Sequence, residues 1–280
     1  MKQYGLLGHK ISYSLSPAMH NAAFKKFGID AEYKFYDMPK GKIKAFFNGL
    51  LRSNISGLNV TIPYKQQAYK FLTTFGIIDK EAEMLGAINT INIKHKTLYG
   101  FNTDAEGFIK ALKAGLDFNP RSKRVFIFGV GGAGSTCALK LAGTADKIFV
   151  YDTDAAKTQI LSKRFLKYFG SDKIRIIQNK RDIRSTLKQS HLLVNATGYG
   201  RKRNELIVRP EFLHKKIKII DLIYNPQITP LMREAKKRKL KAVNGLGMLL
   251  YQGAVSFKIW TGKKAPIAVM QNAIEREMKK

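Results

Sequence analysis

The chain of 280 residues holds a single cysteine, Cys137, and so can form no internal disulfide. That excludes the crosslinked framework on which small secreted domains depend. Acidic residues are scarce too: 20 Asp and Glu stand against 50 Lys and Arg, a net charge of +30. Long apolar runs are missing. The longest uncharged stretch, Ala242 to Phe257, is interrupted by Asn244, Gln252 and glycines, short of the roughly 20 apolar residues of a membrane-spanning helix. The opening MKQYGLLGHK meets His9 and Lys10 before an apolar run of signal-peptide length can form. These absences set the expectation of a cytoplasmic chain that touches no membrane. What is present suffices for a core, since 45% of residues are hydrophobic, far above charged disordered chains. The length suits two domains or one large one.

A surplus of positive charge invites a nucleic-acid reading, because cations that neutralise phosphates release counterions. Here the basic residues fall in short runs, Arg201-Lys202-Arg203, Lys236-Lys237-Arg238-Lys239 and Lys279-Lys280. No aromatic interleaving or zinc-ligand spacing accompanies them. The charge therefore reads as a solvated shell that also attracts small anions, with no nucleic-acid partner and no metal.

Short apolar runs alternate with helical patterns through the first hundred residues. Tyr4 to Gly8, Glu32 to Met38 and Leu58 to Ile62 read as strands, and Ala87 to Ile93 with Thr97 to Phe101 as an antiparallel pair. Ser16 followed by Pro17 reads as an N-cap with a proline at the first helical position, opening a helix that ends near Gly28. Ile43 to Leu51 and Tyr64 to Phe71 read as further helices. From Arg124 the rhythm becomes regular, with strands at Val125 to Phe128, Lys147 to Tyr151, Ile174 to Gln178, Leu192 to Asn195 and Ile217 to Leu222. Such alternation predicts a parallel sheet covered by helices, and an α/β protein of two domains.

Gly129-Val130-Gly131-Gly132-Ala133-Gly134 follows the strand Val125 to Phe128 and precedes a helical segment, Ser135 to Leu141. It matches G-x-G-x-x-G at Gly129, Gly131 and Gly134, which serve a tight turn, close approach to a pyrophosphate, and helix-on-strand packing. A helix N-terminus there offers free N–H groups to phosphate. Asp152, at the end of the next strand, stands near the spacing of the acidic residue that binds a ribose 2′-hydroxyl. It mildly favours NAD over NADP, although it could instead start a turn with Asp154, and Lys157 could shift the balance back. Cys137 reads as a packed small side chain.

Hydride transfer at an alcohol carbon needs a group that takes or returns the hydroxyl proton. Lys65 follows Asn59-Val60-Thr61-Ile62-Pro63-Tyr64, and Asp104 closes Gly100-Phe101-Asn102-Thr103. From the pattern alone Lys65 could be a solvated lysine, and Asp104 the N-cap of a helix Ala105 to Ala114.

Taken together, these segments resemble the shikimate dehydrogenase family. The resemblance rests on Ser14-Leu15-Ser16-Pro17 with His20-Asn21, Asn59 to Pro63 with Lys65, Gly86-Ala87-Ile88-Asn89-Thr90, and Gly100 to Asp104 with Gly107. It continues through the glycine loop, Asn195-Ala196-Thr197, Asp221 to Pro226, Asn244 to Leu250, Gln252-Gly253-Ala254 and Trp260-Thr261-Gly262. It implies reversible reduction of 3-dehydroshikimate to shikimate with NAD or NADP, in aromatic amino-acid biosynthesis. A quinate or dual quinate/shikimate dehydrogenase using NAD is the alternative, and a basic nucleic-acid-binding protein on a Rossmann scaffold a remote one.

The resemblance implies a substrate domain over residues 1–104, completed by C-terminal helices 245–280, and a Rossmann domain over 105–244. Lys65 and Asp104 fall on the catalytic pair. Ser14, Ser16, Thr61, Asn89, Tyr224 and Gln252 fall on substrate-binding positions. Gly129, Gly131, Gly132, Ala133, Gly134, Asp152, Thr197, Gly245 and Met248 fall on the cofactor side, although Gly245 could be a plain turn and Met248 a core residue. The implied partner is a small molecule, and the implied state a monomer or homodimer. Tyr13 and Tyr64 replace the histidines common before the first serine and before the lysine. Asp152 stands where the family often has an Arg nearby for the 2′-phosphate. Gly198 to Arg201 lacks a usual methionine.

Overall fold

The structure, a computed structural model, describes residues 1–170, 173–202 and 205–279. Arg203 and Lys280, members of two of the basic runs, lie outside the described residues. The chain divides into two compact units, Met1–Gly107 with Leu249–Lys280, and Phe108–Met248.

The first unit begins with β1 (Lys2–Gly8), α1 (Ser16–Lys26), β2 (Ala31–Asp37), α2 (Ile43–Gly49) and β3 (Ile55–Val60). It continues with α3 (Lys65–Phe75), β4 (Gly76–Ile78), α4 (Lys80–Leu85), β5 (Thr90–Lys94), β6 (Thr97–Phe101) and the start of α5 (Asp104–Leu116). Its sheet is mixed, in the order β2-β1-β3-β5-β6-β4, with β1 parallel to both neighbours and β5 antiparallel to β3 and β6. Both faces are covered, which is why β1 and β3 carry runs of buried residues rather than strict alternation. Leu7, Leu58, Val60, Ile91 and Leu98 meet Phe47, Ala68 and Leu72 on one face. Tyr4, Phe24, Phe257 and Trp260 form an aromatic cluster elsewhere in the core. Phe257 and Trp260 belong to α10 (Leu246–Thr261), and the last helix, α11 (Ile267–Glu277), packs on α1.

The second unit carries β7 (Arg124–Phe128), α6 (Gly132–Ala142), β8 (Lys147–Tyr151), α7 (Ala155–Phe169), β9 (Ile174–Ile176) and α8 (Asp182–Lys188). After these come β10 (Leu192–Asn195), β11 (Lys218–Asp221), α9 (Pro230–Lys237) and β12 (Ala242–Asn244). All six strands are parallel, in the order β12-β11-β10-β7-β8-β9. The reversal of direction beside β7 is the topological switch point at which open α/β sheets bind ligands. The fold is thus α/β, with a mixed sheet followed by a Rossmann-type parallel sheet.

Several boundaries differ from expectation for local reasons. Leu15, not Ser16, occupies the N-cap of α1; Ser16 is its first residue and makes no capping bond. Asp104 is likewise the first residue of α5, and its N–H donates to the Asn102 side chain. β3 starts at Ile55 and stops at Val60, so Thr61 and Ile62 leave the sheet ahead of Pro63. Helix α6 starts at Gly132 rather than Ser135, which puts Gly132 to Gly134 in its first turn. Strands β4 and β12, three residues each, are too short to show a period. Among the described residues no helix is long and apolar enough to cross a membrane, and no cluster of His, Cys, Asp and Glu could hold a metal. Cys137 is fully buried.

Candidate active site

In the first unit the strand ends and helix starts collect polar side chains that would be costly to bury singly. Lys65 and Asp104, at the starts of α3 and α5, meet through Lys65 Nζ and Asp104 Oδ2 at 2.5 Å. The side chains are 21% and 9% exposed, so the pair is sheltered yet reachable from one side. The Lys65 carbonyl also accepts the Ile88 N–H, which fixes the start of α3 against the segment leading into Asn89.

Asn89 is held in one orientation by a donor that cannot reverse. The Thr103 backbone N–H donates to its Oδ1 at 2.7 Å, so its Nδ2 must face Thr103 Oγ1 at 3.0 Å and Gln252 Oε1 at 3.4 Å. Gln252 comes from α10, where its Nε2 donates to the Leu249 carbonyl. Its approach is permitted by Gly107, at which an added Cβ would lie 2.7 Å from the Gln252 backbone nitrogen. Ser14 and Ser16 meet at 3.2 Å between hydroxyls, and the Ser16 N–H donates to Ser14 Oγ. Thr61 is tied through its N–H to the Leu7 carbonyl, at the end of β1.

A second layer joins these predicted residues, and sequence reasoning assigned it no role. The Tyr33 hydroxyl donates to Asn59 Oδ1 at 2.9 Å, and Asn59 Nδ2 donates to Thr90, Ser256 and the Asn89 carbonyl. Ser256 lies one turn after Gln252 on α10 and donates to its carbonyl. Burial holds the Tyr33 phenol well above its ordinary value, against a smaller opposing effect of the Ser16 hydroxyl. His20 stacks on the Tyr33 ring at 4.5 Å between centroids. Burial pushes the His20 imidazole down to about 3, so it is neutral. Asn59 stands near enough to oppose that shift, but among the described residues neither ring nitrogen has a hydrogen-bond partner. The available signal was Asn59 itself, a polar residue inside the apolar strand Leu58 to Val60.

In the second unit the glycine loop has the shape its motif requires. Gly129 has φ +84°, and an added Cβ there would lie 2.7 Å from Thr197 Cγ2. At Gly134 a Cβ would lie 1.9 Å from the Gly129 carbonyl oxygen, so α6 can pack only if that residue is glycine. Gly131 and Gly132 face open space. The first N–H groups of α6, at Gly132, Ala133 and Gly134, have no acceptor within the helix and suit a phosphate.

Asp152 follows β8 and accepts the Val130 N–H at 2.7 Å and the Asp154 N–H at 2.9 Å. Asp154 caps α7 and pairs with Lys157 at 3.1 Å. Beside them a cleft of about 690 Å³ is lined by Tyr151, Asp152, Thr153, Thr158, Gln178 and others. Tyr224 follows β11 in this unit. Gly245 packs against Leu222, where a Cβ would lie 2.1 Å from the carbonyl oxygen, and that contact alone accounts for glycine there. Met248 is largely buried.

Known proteins resemble this chain over most of its length. The family model described as the shikimate dehydrogenase substrate binding domain matches residues 6–91, and that of the shikimate 5′-dehydrogenase C-terminal domain matches 245–275. A curated protein of Methanocaldococcus jannaschii, named shikimate dehydrogenase (NADP(+)), is 40% identical over 98% of this chain and 96% of its own. A crystal structure of shikimate dehydrogenase in complex with NADP+ superposes with a TM-score of 0.90 at 38% identity, covering 100% of this chain and 96% of that one. A quinate dehydrogenase from Corynebacterium glutamicum, in complex with NAD, superposes at 0.89 with 26% identity, covering 98% and 99%.

Proposed function

The chain belongs to the shikimate dehydrogenase family, and from that premise we propose how its residues carry out the reversible, nicotinamide-dependent interconversion of 3-dehydroshikimate and shikimate. The protein is an NAD(P)-dependent oxidoreductase acting on a CH–OH group. The observation that carries the residue assignment is the sheltered Lys65–Asp104 pair beside the oriented amides of Asn89 and Gln252.

When bound, the nicotinamide supplies the hydride or accepts it. Lys65 Nζ hydrogen-bonds the substrate's reacting oxygen, donating a proton as the carbonyl becomes a hydroxyl and recovering it in reverse. Asp104 holds that ammonium in place and balances its charge. Ser14 and Ser16 bind the carboxylate at the start of α1, where the helix end favours an anion. Asn89, Thr61, Gln252 and Tyr224 read the ring hydroxyls and carboxylate. A site built to hydrogen-bond hydroxyls rejects analogues that lack them, because its buried polar groups would be left unpaired. The open first turn of α6 with Gly131 and Gly132 holds the pyrophosphate; Ala133, Thr197, Gly245 and Met248 complete the cofactor side.

In this reading the substrate domain is 1–104 with 245–280 and the dinucleotide domain is 105–244. The protein works in the cytoplasm as a monomer or homodimer, without nucleic acid. Asp152 is the observation that favours the second reading, a quinate or dual enzyme using NAD, because a carboxylate at the end of β8 repels a 2′-phosphate. The relatives named for NADP+ do not support that preference.

Steady-state kinetics with shikimate and quinate, each with NADP+ and NAD+, decides between them. The expected result is the highest kcat/KM with shikimate; preference for quinate would install the second reading. In the same assay Lys65→Ala should lower kcat by about 10²–10⁴-fold with dinucleotide affinity kept. Near-normal turnover would remove Lys65 from the mechanism.

A further inference from the structure

Asp221 lies at the end of β11, is fully buried, and belongs to none of the catalytic, substrate or cofactor positions assigned above. Burial of the carboxyl raises it from its ordinary value, and three donors oppose that shift. Its Oδ1 accepts Asn195 Nδ2 at 3.0 Å and the Ile223 N–H at 3.1 Å, and its Oδ2 accepts the Thr229 hydroxyl at 2.7 Å. An apolar side chain in its place would fill the space but leave these three buried donors without this acceptor, so the carboxylate ties three segments together rather than merely packing.

Each bond leads to a segment on the cofactor side of this unit. Asn195 turns its Oδ1 to the Thr197 N–H and hydroxyl, at 3.1 and 2.7 Å, and its Nδ2 also donates to the Tyr199 carbonyl. Thr197 is the side chain against which Gly129 of the glycine loop packs. On the other side, Ile223 accepts the Gly245 N–H through its carbonyl at 3.2 Å, and Gly245 lies against Leu222. Thr229 caps α9 by accepting the Met232 N–H, so its hydroxyl hydrogen is free for Asp221. One carboxylate therefore anchors the loops after β10 and β11, which flank Thr197 and Gly245.

We propose that Asp221 is a positioning residue for the dinucleotide: through Asn195 and the Ile223 N–H it sets the spacing between the Thr197 loop and the Gly245 turn. The inference rests on the reading that this unit binds NAD(P), and it extends that reading from the glycine loop to the far side of β10.

The test compares Asp221→Ala and Asp221→Asn with the wild type, by dinucleotide titration and by kinetics well below each variant's melting temperature. Asp221→Ala should raise the dinucleotide KM and Kd about tenfold or more, while kcat at saturating dinucleotide stays within about threefold, as expected of a misplaced binding loop. Asp221→Asn keeps an acceptor for Asn195 and Ile223 and should recover most of the affinity. A lowered melting temperature with unchanged KM and Kd would show a purely structural role and overturn the proposal. If Asp221→Ala does not fold, Asn195→Ala breaks the same link from the other side and is read the same way. Failure of the wild type to bind either dinucleotide would instead sink the dinucleotide reading, and this inference with it.

Discussion

His20 shows how a single residue can be costly and still be kept. It is fully buried against Tyr33, Phe24 and Trp260, and its folded-state value of about 3 lies below the 6.5 of a free imidazole. As pH falls through 6.5 the unfolded chain takes up a proton that the folded chain refuses, so His20 lowers stability progressively toward acid. At pH 5.5 that loss is about 1 kcal/mol relative to neutral pH. Denaturant unfolding at pH 7.5 and 5.5 should therefore show the wild type losing about 1 kcal/mol more than His20→Leu over that interval. Equal losses would mean that the imidazole is not held neutral. Motif matching marked His20, as it marked Asn59 and Thr103. Their partnership with Tyr33 and Ser256 joins positions up to 197 residues apart in sequence, and no local pattern encodes it.

At the scale of elements, the glycine turn between β7 and α6 divides the roles of its glycines. Gly134→Ala would press a methyl against the Gly129 carbonyl, costing about 1–3 kcal/mol as the backbone shifts and weakening dinucleotide binding. Gly131 has φ −63° with nothing near an added Cβ. Gly131→Ala should therefore leave the melting temperature unchanged while weakening binding about tenfold, because its methyl stands where the pyrophosphate comes closest. Calorimetric melting and dinucleotide titration of both variants check this; an alanine at 131 that binds like wild type would show that the phosphates lie elsewhere. The existence of β7, α6 and β8 was readable from apolar runs around a glycine loop. The start of α6 was not, because its first turn holds two residues of low helix propensity, Gly132 and Gly134, and is specified by the packing of Gly134 on Gly129 and Ala196. Ser16 and Asp104 looked like N-caps for the converse reason. Residue type favours a cap there, whereas the backbone places both one residue inside their helices.

At the scale of the whole molecule the net charge of +30 acts at a distance. Most of the excess lies in the second unit, where Lys and Arg outnumber Asp and Glu three to one. Both proposed ligands are anions, so the field raises their local concentration. Screening shrinks the Debye length from about 10 Å at 0.1 M salt to about 3 Å at 1 M. The KM for dinucleotide should accordingly rise several-fold across that range with kcat little changed, as kinetics in graded sodium chloride would show. A flat KM would leave the charge as a solubilising shell alone.

The sequence by itself determined the α/β class, the parallel sheet of the second unit, the glycine turn between β7 and α6 and the candidate pair Lys65 and Asp104. Each of these rests on a local pattern, such as strand runs, glycine spacing or a short motif, that neighbouring residues suffice to encode. Only the tertiary structure decided that Lys65 and Asp104 touch, that Asn89 can offer its amide in one orientation alone, and that Tyr33, Asn59, Ser256 and Thr103 form a chain of hydrogen bonds leading to that amide. It likewise placed Asp221 beneath two loops at once. The physical reason is that a buried polar group must find its partner in space. The chain supplies that partner from whichever strand or helix packs alongside, at separations no period or motif records.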